Sequence, residues 1–310
     1  MRRLLPALLV ALASAGAAQA GSVLPQGCDR PVAVNATQQD RLLRFTAVVR
    51  EALAASGAPA ALVARSGTDL SRLGLRYSHA AVALAEGLDT PWAVRQLYYA
   101  CAEGQPRLFD QGLAGFVTGS DDPDVGYLSV LLLPPEAGAA LAAATLDRPR
   151  ALALLNARYS ANAYPFSTEY QNCNQWVAEL LAAAIAGSTT RTEAQAWLQR
   201  EGYAPQPVRV SPWLMLAGRF VPWVRFHDHP DALLQAGLVQ TSLPDSLEAF
   251  ALKRWPGARR LEFCHGPKGV LRSLDGKPLP AGCVAQAEVS AADGRHAAAA
   301  APTLPDRPIP

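Results

Sequence analysis

The chain has 310 residues, 50% hydrophobic and 17% charged, with Lys+Arg 28 against Asp+Glu 26 for a formal net charge of +2. That apolar content supports a packed core and excludes a chain unfolded throughout. The balanced charge excludes recognition of nucleic acid through a strong positive field.

The first residues read "MRRLLPALLVALASAGAAQA": Arg2 and Arg3, an apolar run from Leu4 to Ala15, then Ala18-Gln19-Ala20. A charged start, a short apolar stretch and a small-x-small site are the layout of a secretory signal peptide over 1–20, cut after Ala20. The run is too short to span a bilayer comfortably, and no later stretch reaches about 18 uninterrupted apolar residues. The expected product is periplasmic or secreted, with no transmembrane anchor.

Residues 21–58 read as a Pro/Gly/Asn-rich approach and then a helix, "TQQDRLLRFTAVVREALAASG", with apolar Leu42, Phe45, Val49 and Leu53. Thr37 is the expected N-cap and Gly57 the stop. The main domain is expected over 59–260. "APAALVARSG" reads as a strand or turn and "GLRYSHAAVALAE" as a strand, with Gly67 and Gly74 as breaks. "WAVRQLYYACAE", rich in aromatic and β-branched residues, reads as the next strand, and "GYLSVLLLPP" as another ended by paired prolines.

"PEAGAALAAATL" and "PRALALLNARYSA" read as helices, the second with Pro149 in its first turn. "NQWVAELLAAAIAG" follows as a helix with Trp176, Leu180, Leu181 and Ala184 on one face and Gly187 as its end. "TRTEAQAWLQREG" is a further helix. Residues 205–235 mix proline, tryptophan and phenylalanine and support no assignment, although the aromatic run from Trp213 to Phe226 is expected to fill the core rather than line a substrate groove. "DSLEAFALKRW" reads as helix and "ARRLEFCHG" as strand. Residues 261–288 are expected to form a disulfide-pinned C-terminal extension, and the Ala/Pro-rich 289–310 a disordered tail.

The five cysteines are Cys28, Cys101, Cys173, Cys264 and Cys283. An oxidising compartment favours pairing, and an odd count leaves one over. Cys264 and Cys283 would close a short loop and Cys28 and Cys101 a longer one, leaving Cys173 as the thiol. Should Cys101 instead face Cys173, a bond between those two would silence the thiol.

Cys173 follows the polar "STEYQN" and opens the apolar periodicity of "WVAELL", so it falls in the first turn of a helix, among free backbone N–H groups. The helix dipole and a neighbouring imidazole would lower its pKa, and the N–H groups would hold an oxyanion. His79, on the strand "RYSHAAVAL", is the candidate base. Asn172 and Asn174 flank the cysteine as candidate substrate or oxyanion contacts, with capping as the plainer role.

A strand histidine followed by "NCNQW" at the start of an apolar helix resembles the circularly permuted branch of the NlpC-type papain-like superfamily, in which the histidine strand precedes the cysteine helix, as in lecithin:retinol acyltransferase-like proteins. The exported chain as a whole resembles the bacterial family named domain of unknown function 2145, which implies no particular reaction. The superfamily resemblance implies an α+β fold, a permuted papain-like antiparallel sheet flanked by helices. It implies Cys173 as nucleophile, His79 as base, and a third polar residue on the next strand, where Gln96, Tyr99 and Glu103 are candidates and Gln96 stands first. The activity implied is a thiol hydrolase or acyltransferase acting on cell-wall peptides or lipid acyl groups, with no cofactor. The competing class is a non-catalytic envelope protein that binds or assembles with a partner. The pair His227 and His229 around Asp228 lacks a third metal ligand, and Asp121, Asp122 and Asp124 lack the spacing of a calcium loop.

Overall fold

The computed structural model describes residues 33–285. The leader, Cys28 and the C-terminal tail lie outside the described residues. Helix α1 (Ala36–Ser56) is capped by Asn35 rather than Thr37. The Asn35 side chain accepts from the Gln38 N–H, and Gln38 accepts in turn from the Asn35 N–H, both at 2.9 Å. That reciprocal box satisfies two orphan donors, which Thr37 has no matching partner to do. Gly57, at φ 67°, closes the helix in the left-handed region.

Four strands follow: β1 (Ala60–Arg65), β2 (His79–Leu84), β3 (Ala93–Ala100) and β4 (Gln105–Gln111). Strand β4, "QPRLFDQ", carries a proline and charges and gives no strand signal; it lies at the sheet edge, where both are tolerated. Then come α2 (Leu113–Val117), β5 (Gly126–Leu132), α3 (Pro135–Leu146) and α4 (Arg148–Ala153), the last shorter than its sequence pattern suggests. The buried helix α5 (Cys173–Ala186) is followed by α6 (Arg191–Arg200). The region without sequence assignment holds only short pieces, β6 (Val208–Arg209), α7 (Pro212–Gly218), α8 (Asp231–Gln235) and β7 (Leu238–Val239). Helix α9 (Pro244–Arg254) and strands β8 (Arg259–Gly266) and β9 (Gly269–Ser273) complete the order.

The architecture is mixed α+β. A seven-stranded antiparallel sheet in the order β4-β3-β2-β1-β5-β8-β9 carries helices on both faces. The segment from 261 onward therefore supplies two strands of the main sheet. Strand alternation sorts the core. Leu62, Ala80, Val82, Leu84 and Leu97 face the side of α3, α5, α6 and α9. Ala61, Val63, Ala81, Ala83 and Val94 face α1 and α2. With both faces covered, β1 is buried from end to end.

Two features place the site. Pairing between β2 and β3 covers only Val82–Leu84 against Ala93–Arg95, after which β3 runs on with β4 alone. From His79 to Ala81, β2 thus has no strand partner on that side. The first turn of α5 takes the place: the Asn174 Oδ1 accepts from the Ala80 N–H at 2.7 Å, and its Nδ2 donates to the Ser78 carbonyl at 3.2 Å. Second, α5 buries Glu179 completely, and Arg191 meets it at 2.9 and 3.1 Å, joined by Gln171 and Gln195. Arg191 also donates to the carbonyls of Thr168 and Tyr170, which fixes the loop leading into Cys173.

The aromatic run from Trp213 does not fill the core. Trp213 is 80% exposed and Phe220 78%. Its signature resembles a core segment in composition, but none of the seven residues of α7 is buried.

Candidate thiol site

Cys173 is the free cysteine among the described residues, and it is buried. Cys264 and Cys283 are bonded to each other, with Cα atoms 5.8 Å apart. Cys101 is also disulfide-bonded, and its expected partner Cys28 lies outside the described residues. The bond between Cys101 and Cys173 is not formed.

Asn172 caps α5, accepting from the Gln175 N–H at 2.7 Å while its Nδ2 donates to Thr241 Oγ1 at 2.8 Å. Asn174 is committed to Ala80, Ser78 and the Ser242 carbonyl. Both side chains are thus spent on holding the helix to its surroundings, and neither amide is left to donate to an oxyanion. The donors near the sulfur are the backbone N–H groups of Asn174, Cys173 and Ala80, the last already given to Asn174 Oδ1, and the Tyr159 hydroxyl. They favour the thiolate, as does the charge of Arg65, but burial outweighs them and pushes the Cys173 thiol up to about 11. The sequence leads to the opposite expectation because the dipole and the donors are legible there and the depth of burial is not.

His79 belongs with Ala81 and Ala83 on the α1 and α2 side of the sheet. Its ring lies 5.9 Å from that of Phe116. The Nε2–H donates to Gln96 Oε1 at 2.5 Å, so Nδ1 keeps the lone pair. Burial, and then the charge of Arg65, lower its pKa to about 3. Among the described residues no hydrogen bond joins the imidazole to the sulfur. What the structure brings together is the sulfur and the peptide next to the histidine, at the opening between β2 and β3. Of the three candidates, Gln96 on β3 reaches the ring, Tyr99 on β3 stacks on Tyr159 at 4.8 Å, and Glu103 lies past the end of the strand, in the turn before β4, where it pairs with Arg107.

Two groups at the site have no motif in the sequence. The Tyr159 hydroxyl stands beside the sulfur, and burial and the Cys173 charge raise its pKa well above the ordinary range. Arg65 ends β1 opposite His79, buried, with its guanidinium over Phe116 at 5.3 Å and donating to the Gly119 carbonyl. Its Nε has no partner among the described residues, and burial brings its pKa down to about 10. A Cβ at Gly67 or Gly119 would stand 2.9 or 2.7 Å from the guanidinium, so both glycines make room for it. The one detectable signal was an arginine closing an otherwise apolar strand, "AALVAR".

Residues 52–251 match the family described as an uncharacterized protein conserved in bacteria (DUF2145). The chain belongs to that family. No curated protein and no solved structure matches it. The DUF2145 span takes in Arg65, His79, Gln96, Tyr159 and Cys173 and ends before β8.

The remaining titratable groups do not form a metal centre: among the described residues no three His, Cys, Asp or Glu side chains are grouped to hold an ion. His227 contacts Tyr170 and Glu169, whereas His229 Nδ1 meets Asp228. Asp122 caps its own turn and Asp124 pairs with Arg41. No helix of the described residues is long and apolar enough to cross a membrane.

Proposed function

We propose that this chain is an exported thiol hydrolase or acyltransferase of permuted papain-like arrangement, working on an amide or ester through an acyl-enzyme on Cys173. The observation that carries the reading is a free thiol at the start of α5, ringed by backbone N–H donors, at the peptide bearing a Gln96-oriented histidine. Cys173 gives its proton to His79 Nδ1 as the sulfur bonds to the carbonyl carbon. The oxyanion is held by backbone N–H groups, the Tyr159 hydroxyl and the Arg65 charge. His79 then passes the proton to the leaving amine or alcohol, and water or an acceptor alcohol, deprotonated by the same imidazole, cleaves the thioester. At rest both partners are neutral and the ring lies on the α1 and α2 side of the sheet, so this reading requires the imidazole to turn toward the sulfur through the opening between β2 and β3 as substrate binds. Cell-wall peptides and lipid acyl groups suit an exported enzyme.

A second reading, a non-catalytic envelope protein on the same fold, draws on the burial of the sulfur and the absence of a bond to His79. Treating the native, non-reduced protein with an acyl-donor probe, followed by mass analysis, separates the two. The enzyme reading expects one adduct, on Cys173, lost in Cys173→Ala and slowed about 100-fold in His79→Ala. Capture of Cys173 only after unfolding would establish the scaffold instead.

A further inference from the structure

We propose that the exposed segment around α7 docks the protein onto an anionic phospholipid surface. Trp213 (80% exposed), Leu214 (54%), Leu216 (48%) and Phe220 (78%) project from α7 and the turn after it. Such groups are ordinarily buried in a protein interior, and four exposed so close together form a patch rather than scattered apolar residues. Residues 202–227 contain no Asp or Glu but carry Arg209, Arg219 and Arg225. In a chain whose cations and anions almost balance, that is a local excess. Arg209 also lines an open groove of about 740 Å³ with Arg72 and Lys253, against one acidic lining residue, Asp245. Aromatic and leucine side chains bordered by arginines are the composition of an interfacial anchor, whose apolar face sinks about 5–10 Å into the headgroup boundary.

The shape and the charge both favour lipid over protein. The apolar groups stand proud of the surface, and a fluid acyl phase receives protrusions without a matching cavity. A second copy docking face to face would set the arginine-bordered patch of one copy against the same patch of the other, like charge facing like charge. The segment is also tied down. The Ala161 N–H donates to the Trp223 carbonyl at 2.8 Å, the Arg225 N–H to Ser160 Oγ at 3.0 Å, and Asn162 Nδ2 to the Arg225 carbonyl at 2.7 Å. Those residues continue directly from Tyr159, which stands at the Cys173 sulfur. The end of the docking segment is therefore anchored to the loop that carries Tyr159. The docking itself does not depend on the chemistry proposed for Cys173.

The test is flotation of the full chain with vesicles of phosphatidylcholine alone and of phosphatidylcholine with phosphatidylglycerol. Each is run beside the exposed-site variants Trp213→Ser/Phe220→Ser and Arg209→Gln/Arg219→Gln, so that any contribution of residues 1–20 is common to all. Wild-type protein should float with the anionic vesicles, with a blue-shifted tryptophan emission and binding that weakens with salt. The aromatic variant should lose at least about tenfold in binding. The arginine variant should lose about fivefold for each charge removed. Equal flotation of wild type and aromatic variant, or none by wild type, would overturn the proposal. So would a wild-type dimer that the aromatic variant converts to monomer. Cys173→Ala should float as wild type does, so loss of probe capture and loss of docking are read separately.

Discussion

At Cys173 two influences of opposite sign meet, and their sizes decide the resting state. Donors and the Arg65 charge draw the thiol down, burial drives it up, and burial wins at about 11. At pH 7 the thiolate is then about one part in 10⁴, against a few parts in a hundred for a free cysteine. The alkylation rate of the native protein by iodoacetamide should therefore climb about tenfold per pH unit from 7 to 10, with no levelling near 8.5. His79, held neutral down to about 3, should add no step between pH 5 and 8. A curve that bends near 7 would mean a charged thiolate–imidazolium pair and refute the burial argument. Arg65 faces the same sulfur without an acidic partner bound to its guanidinium, so Arg65→Gln should move the whole curve to higher pH. Arg65→Lys, which keeps the charge but not the planar fit between Gly67 and Gly119, should recover part of the shift.

Among the elements, α5 does most to place the site, and it does so through buried polar groups that tolerate little loss. Removing one member of a buried ion pair leaves the other charge stranded, at about 3–5 kcal/mol. Glu179→Ala should cost that much in chemical denaturation, and Glu179→Ala/Arg191→Ala clearly less than the sum of the two single changes. Additive costs would show that the pair does not act as a unit. Helix α5 was legible in the sequence because capping asparagine, apolar periodicity and terminal Gly187 agree. Strands β4 and β9 were not, since an edge strand needs little apolar content. The pairing of Gln96 with His79 was one of three readable options. The face on which His79 lies was not readable, because period two says which residues share a side but not where β3 leaves β2. Tyr159 comes from an irregular loop joined to Gln171 by a lone bridge, a contact that no local pattern announces.

For the molecule as a whole, the β8–β9 end of the sheet adds a pH dependence that the thiol site does not control. His265 on β8 packs against Phe45 of α1 with ring centres 4.9 Å apart, and Gly126 across the strand pair makes room for its ring, since a Cβ there would collide with it. Burial first, and the Arg41 charge second, lower its pKa to about 4, and its Nδ1 has no partner among the described residues. A base whose folded pKa lies below its unfolded value of about 6.5 is protonated first in the unfolded chain. Stability is therefore whole above pH 6.5 and falls as the pH drops from there toward 4. The loss from His265 alone should be about 1 kcal/mol between pH 7 and 5.5, a range in which ordinary carboxylates do not yet titrate. His79 should add to the slope in the same direction. Urea unfolding across that range should show the decline for wild type, and His265→Gln should flatten it, whatever its own cost at pH 7. A slope unchanged in that variant would mean that the acid sensitivity arises elsewhere and that the ring takes up its proton in place.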